Sequence, residues 1–397
     1  MKKIQGDCLG KNVQSLFEEE IMTDLLVLRD EIDKIDRQIV ELFEKRMEIC
    51  KEVAEYKILT GKKVFDKERE DNKLQTLRGL AHSDFNKHGV TELFSQVMAM
   101  SRKLQYQLLE QNGVKGKLDF TCVDSLETEG VRVVYQGVEG AYAHQAALEY
   151  FGDQVNCFHV ERWRDAMEAI REGSADYAVL PLENSTAGIV SDNYDLLNEY
   201  NNYIVGEKVI YIDHVLMGQP DASMEDIETV YSHPQALMQC SRFLDEHREW
   251  NQRSVGNTAV AVKDVKDSGD RTKAAIGSRQ AAVFYGMKIL KEGICHGKAN
   301  STRFVIVTNQ KIFEKKAGKI SICFEIPHTS GSLYNILSHF IYNNLNMNKI
   351  ESRPIPDKQW EYHFFVDFDG NLNDSAVKNA LRGIKEETAN FKILGNY

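Results

Sequence analysis

Residues 25–56 read LLVLRDEIDKIDRQIVELFEKRMEICKEVAEY, and their apolar positions decide how the start of the chain folds. Leu25, Leu28, Ile32, Ile35, Ile39 and Leu42, then Ile49, Val53 and Tyr56, step by threes and fours along this stretch. Such spacing is an apolar stripe on one long helix, expected to end near Thr60-Gly61. Asp66 is placed to cap a second helix from Lys67 to about Leu80. A third, from about Thr91 to Leu109, carries Leu93, Phe94, Val97, Leu104 and Leu108. Three helices, one of them very long, cannot bury that stripe within one chain, so a homodimer or higher homo-oligomer is expected.

Arg46 interrupts the stripe between Leu42 and Ile49. An isolated arginine there would snorkel to the surface. Lys57, however, returns to within about 20° of Arg46 and lies roughly 16 Å further along the axis, so the two cationic stems lean toward one small anion. Arg29 stands about 100° away around the helix and reaches that spot from a partner helix more easily than from its own. With Arg69 and Glu70 behind the Asp66 cap, and Ser101 and Gln105 one turn apart on the third helix, the expectation is a strongly cationic pocket in a helical dimer.

Arg29-Asp-Glu-Ile-Asp-Lys-Ile-Asp36, then Arg46, Lys57, Asp66-x-x-Arg69-Glu70 and Ser101-x-x-x-Gln105, resemble the helical chorismate mutase family over residues 20–110. The resemblance implies a Claisen rearrangement of chorismate to prephenate without cofactor or metal, driven by holding the reactive conformer and placing cations at the breaking ether oxygen. It implies Arg46, and Arg29 of the partner chain, on the substrate carboxylates. Lys57 and Gln105 fall at the ether oxygen, and Asp66, Arg69, Glu70 and Ser101 complete the pocket. Lys63 departs from the family, which commonly has proline there.

Over all 397 residues the composition is that of ordinary soluble protein, 42% hydrophobic and 27% charged. With 49 Lys+Arg against 60 Asp+Glu the net charge is −11, which argues against nucleic acid as a partner. No apolar run suits a membrane span or a secretory signal. Seven scattered cysteines without a C-x-x-C pair point to reduced cytosol rather than to a disulfide or zinc framework.

A linker is expected from Gln111 to Gly130. Beyond it, short strands alternate with helices. Val131–Tyr135, Asp176–Leu180, Thr229–Tyr231 and Ala274–Ile276 each run into a Gly-, Ser- or Asn-bearing turn. This is α/β grammar, with polar helix starts gathered at the carboxyl ends of strands. Gly137-x-x-Gly140-Ala141-Tyr142-Ala143-His144, Leu180-Pro181-Leu182-Glu183-Asn184-Ser185, Ser232-His233-Pro234-Gln235, Gln239-Cys240 and Thr302-Arg303-Phe304 resemble prephenate dehydratase over residues 131–310. The resemblance implies two lobes around a cleft, similar to periplasmic binding proteins, and conversion of prephenate to phenylpyruvate with loss of carbon dioxide and water. Thr302 is then the donor to the departing hydroxyl, and Asn184, Ser185, Ser232, Gln239, Thr258 and Arg303 hold carboxylates. Cys240 is expected to line the pocket, Gly256 has no assigned role, and His233 is either a general acid or a helix cap.

After residue 318 the order becomes βαββαβ, a ferredoxin-like sandwich through residue 397. Gly331-Ser332-Leu333 opening its first helix, with Glu351-Ser352-Arg353-Pro354 on the following strand, resembles an ACT domain. The resemblance implies a regulatory site for L-phenylalanine at those seven residues. The whole therefore reads as mutase, dehydratase and sensor in series. A catalytically silent sensor and a chain keeping only one activity stay open on residues alone.

Overall fold

The computed structural model describes residues 9–114, 118–295, 300–356 and 358–397, with side chains from residue 25 onward. The chain divides into two units at Gly116/Lys117. In the first, helix α1 (Leu9–Thr60) starts well before the stripe and stops where Gly61 takes φ 68°. Helix α2 (Lys67–Gly79) begins at the Asp66 cap, whose carboxylate accepts the Arg69 N–H at 3.1 Å. Helix α3 (Asp84–Gln111) is longer than the apolar spacing suggests. Ser83 caps it by accepting from Asn86 N–H at 3.1 Å, so the polar run containing Gly89 is helical after all.

Among the described residues of this unit the buried apolar side chains are few: a small core of Ala54, Val64, Tyr106 and Leu109, with Val97, Met98 and Ala99 on α3. The stripe on α1 stays open: Ile32 is 56%, Ile39 53% and Leu42 67% exposed. Covering a leucine or isoleucine is worth roughly 1.5–3 kcal/mol, so a helix left like this is short of a partner surface.

The second unit holds two large sheets. One runs, in spatial order, Lys288–Lys291, His214–Gly218, Lys273–Ser278, Thr229–Ser232 and Asn251–Ser254. The other joins Asn156–Val160, Arg132–Gln136, Tyr177–Asn184, Ser301–Thr308 and Tyr203–Tyr211. These are two α/β lobes, and they approach closely at Gly140, where an added Cβ would lie 2.8 Å from the Ala281 Cα. Gly140 also takes φ 81°, which explains the glycine in its motif. The expected linker is partly a strand, because Thr121–Val123 pairs in parallel with Ile312–Glu314.

The second sheet continues into the C-terminal module through Gly395 beside Ile204. Lys319–Glu325, Ser332–Tyr342, Met347–Pro354, Tyr362–Asp369, Ser375–Glu387 and Ala389–Asn396 form the βαββαβ sequence. Its strands lie in the order second, third, first, fourth, with both helices packed on one core. No described helix is long and apolar enough to cross a membrane.

Candidate active sites

In the helical unit, three helices converge on a cavity of about 460 Å³ lined by Arg46, Lys57, Asp66, Arg69, Glu70, Ser101 and Gln105. The near-alignment of residues 46 and 57 on α1 puts both cations against it, while Arg29 lies outside it on the exposed helix. Arg46 donates to the Ser101 hydroxyl and to Val97 C=O at 3.4 Å. Lys57 Nζ donates to Val64 C=O at 2.8 Å, so the loop carrying Lys63 still shapes the wall. Gln105 is buried; its Nε2 donates to Ser101 C=O at 3.2 Å and its Oε1 has no partner among the described residues. Arg102 escaped notice in the sequence because it lacks a motif. It is buried, paired with Glu70 and stacked 5.0 Å over Phe65, so Glu70 serves a protein cation directly.

The second cavity, about 590 Å³, lies between the lobes. Asn184 and Thr302 line it from one sheet, opposite each other in register. Gln239, Thr258, His233 and Gly256 line it from the other lobe. Thr302 Oγ1 accepts from Asn184 Nδ2 at 2.9 Å. His233 caps its own helix, its Nδ1 accepting Gln235 N–H at 3.3 Å, and burial lowers its pKa. Tyr142, His214 and Asn300 also line the cavity. Tyr142 sat unremarked inside a quoted motif, and His214 and Asn300 belong to none.

Four expectations are corrected. Ser232 is fully buried and donates to Ile276 C=O at 2.6 Å, so it pins a sheet rather than facing the cleft. Ser185 accepts the Ser301 N–H at 3.0 Å and joins two strands. Arg303 points away from Thr302, as neighbours on a strand must, and binds Glu207 at 2.7 Å and Asp367 at 2.8 Å. Burial opposes its charge, but Tyr397, Asp367 and Glu207 raise its pKa overall. Cys240 is in the core, 3.8 Å from the Cys295 sulfur, and that contact together with burial pushes its thiol pKa up.

In the C-terminal module Gly331 takes φ 80° ahead of the helix Ser332–Tyr342, with Ser332 Oγ 2.6 Å from Thr329 Oγ1. Leu333 follows in the first turn. Glu351, Ser352, Arg353 and Pro354 lie on the strand at the edge of the sheet. Arg353 is engaged by Asp195 of the α/β lobes at 2.6 Å.

Comparison with known proteins matches residues 28–106 to chorismate mutase type II and residues 133–312 to prephenate dehydratase. A bifunctional chorismate mutase/prephenate dehydratase of Enterobacter agglomerans is 32% identical, over 94% of this chain and 95% of its own. The prephenate dehydratase of Arthrobacter aurescens, solved with L-Phe, superposes with TM-score 0.63 at 28% identity, over 67% of this chain and 89% of that one. GqqA, described as a quorum quenching acylase, gives 0.62 at 26% identity, over 67% and 97%.

Proposed function

Because the chain belongs to the bifunctional chorismate mutase/prephenate dehydratase family, we propose that its two cavities carry out the two reactions in turn. It is an enzyme of phenylalanine biosynthesis, rearranging chorismate to prephenate and converting prephenate to phenylpyruvate. The observation that carries the assignment of sites is the convergence of Arg46, Lys57, Arg69, Ser101 and Gln105 from three helices on one cavity.

The rearrangement breaks an ether bond while a new carbon–carbon bond forms, and negative charge grows on the ether oxygen. Lys57 stabilises that charge more in the transition state than in the substrate, which is what accelerates a unimolecular step. Gln105 turns its amide from its own helix toward the same oxygen. Arg46 and Arg69 hold carboxylates, and Asp66 fixes the start of α2. Arg29 enters from a second copy whose α1 covers the exposed stripe.

In the cleft, Thr302 donates to the departing hydroxyl while Asn184 orients the Thr302 hydroxyl and Thr258 binds the substrate. Modules at residues 20–110, 131–310 and 318–397 then have separate tasks, the last being an ACT domain that senses L-phenylalanine. Exposed Tyr334 and Ile350 beside its edge strand offer an apolar face to a second copy, where an aromatic ring has room to dock near Gly331–Leu333 and Glu351–Pro354. The unpaired thiols suit a cytosolic setting. Thr302→Ala tests the division of labour. Given chorismate, it should accumulate prephenate, with binding of supplied prephenate retained; weak binding with normal turnover would instead make Thr302 an anchor.

A further inference from the structure

Asn184 Oδ1 accepts two backbone N–H groups, of Thr186 at 3.0 Å and Ala187 at 2.9 Å. Backbone donors cannot reverse, so the orientation of this amide is settled and its Nδ2 must face Thr302 Oγ1 and Asn300 Oδ1, at 2.9 and 2.8 Å. That one anchor sets the direction of a longer chain. Thr186 Oγ1 lies 2.7 Å from the same Asn184 Oδ1 and 3.3 Å from Asn300 Oδ1, which both only accept, so the single hydroxyl hydrogen of Thr186 is committed to that side. Thr186 can then only accept from its other neighbour, Gln239 Nε2, at 3.0 Å. Gln239 Oε1 in turn faces His214 Nε2 at 3.1 Å, which must carry the hydrogen. Burial lowers the His214 pKa to about 4, so the ring is neutral and its bare Nδ1 accepts the Tyr142 hydroxyl at 2.9 Å.

Every donor therefore points the same way, from Tyr142 toward Thr302 and Asn300. The Thr302 hydroxyl already accepts from Asn184, and among the described residues its hydrogen meets no acceptor. Asn300 is 4% exposed, accepts through Oδ1, and has a buried Nδ2 that finds no partner among the described residues. Both residues line the cleft.

We propose that Asn300 is a second substrate donor beside Thr302, and that Tyr142 and His214 are positioning residues that hold both groups as donors through Gln239, Thr186 and Asn184. This rests on the dehydratase reading of the cleft. Both donors hang from the same Asn184 nitrogen, so they address one region of the substrate, that of the departing hydroxyl. As carbon dioxide leaves, its bonding pair enters the ring and the ring C–O bond breaks toward oxygen. That oxygen leaves with the bonding pair as hydroxide, its charge stabilised by the two preset donors, and takes one proton from the solvent to become water. Two amides interrupt the chain, so it orients hydrogens and does not conduct protons.

The test is kcat and KM on supplied prephenate. Gln239→Glu keeps the shape but offers Thr186 an acceptor; kcat should fall at least about tenfold with KM within about threefold. His214→Ala should do the same, and His214→Gln, whose amide nitrogen can take the place of Nε2, should recover to within about threefold of wild type. Asn300→Asp sets a carboxylate oxygen against the departing hydroxyl and should cost at least about a hundredfold in kcat. If His214→Ala does not fold, the near-isosteric Gln239→Glu and Asn300→Asp decide. Turnover like wild type in those two, or losses confined to KM, would overturn the inference while leaving the function intact. A wild-type protein that does not turn over prephenate would overturn the function itself.

Discussion

Thr302 and Arg303 are consecutive on the strand Ser301–Thr308 and serve opposite faces of it. Thr302 takes a hydrogen bond from Asn184 in the cleft, while Arg303 binds Asp367 of the C-terminal module at 2.8 Å. The neighbouring strand repeats the arrangement in register: Asn184 lies across from Thr302, and Glu183, across from Arg303, is held by Lys349. Two reacting-face residues thus share backbone with two anchors in the module assigned to sense phenylalanine.

If effector binding shifts that module, the shift reaches Asn184 and Thr302 through these anchors. Phenylalanine can change the rate only as far as it prefers one arrangement over the other. Lys349→Met releases the Glu183 anchor without touching the cleft. Dehydratase kcat without effector should stay within about twofold, and the phenylalanine concentration for half-inhibition should rise about fivefold or more. Inhibition curves for the two proteins, measured side by side, check this; superimposable curves would remove Lys349 from the route.

Lys57→Ala removes a donor whose effect is concentrated in the transition state. Chorismate mutase turnover should drop by about a hundredfold, or ~3 kcal/mol, with dehydratase activity on supplied prephenate preserved. A parallel loss of both activities in a folded protein would contradict separate sites.

Arg29→Ala and Arg46→Ala should each abolish mutase activity alone. Mixing the two under subunit exchange should restore it in part, because one of the two pockets in a mixed dimer collects both intact arginines. Failure of any mixture to recover would show that Arg29 does not act across the dimer.

His214 also predicts an acid limb in stability. Tyr142, Gln239 and His233 face it, and burial lowers its folded pKa to about 4 from 6.5. Between those values the unfolded chain binds the proton more readily, so stability falls as pH drops from about 6.5 toward 4, by up to ~3 kcal/mol. Denaturant midpoints across this range should show a shallower acid slope for His214→Gln than for wild type.

The helices and the βαββαβ order were legible because spacing of apolar residues survives in the local sequence. The convergence of Arg46 and Lys57 was legible for the same reason, since helical geometry relates positions eleven apart. The true start of the third helix was hidden by Gly89, which a good Ser83 cap outweighs. In the cleft, motif order found Thr302 and Asn184 but could not say which neighbours face inward. Strand alternation sends Arg303 outward, and Ser232 is used by its own sheet. His214 and Asn300 matter through partners far away in the chain, Gln239 and Asn184, and no local pattern records that.

The central claim is two successive reactions in one chain. Purified wild-type protein supplied with chorismate alone, followed by proton NMR over time, tests it. The account predicts that prephenate appears and is then consumed into phenylpyruvate, with the second step slowed by added L-phenylalanine. Chorismate that persists unchanged, or prephenate that accumulates without further conversion, would contradict it.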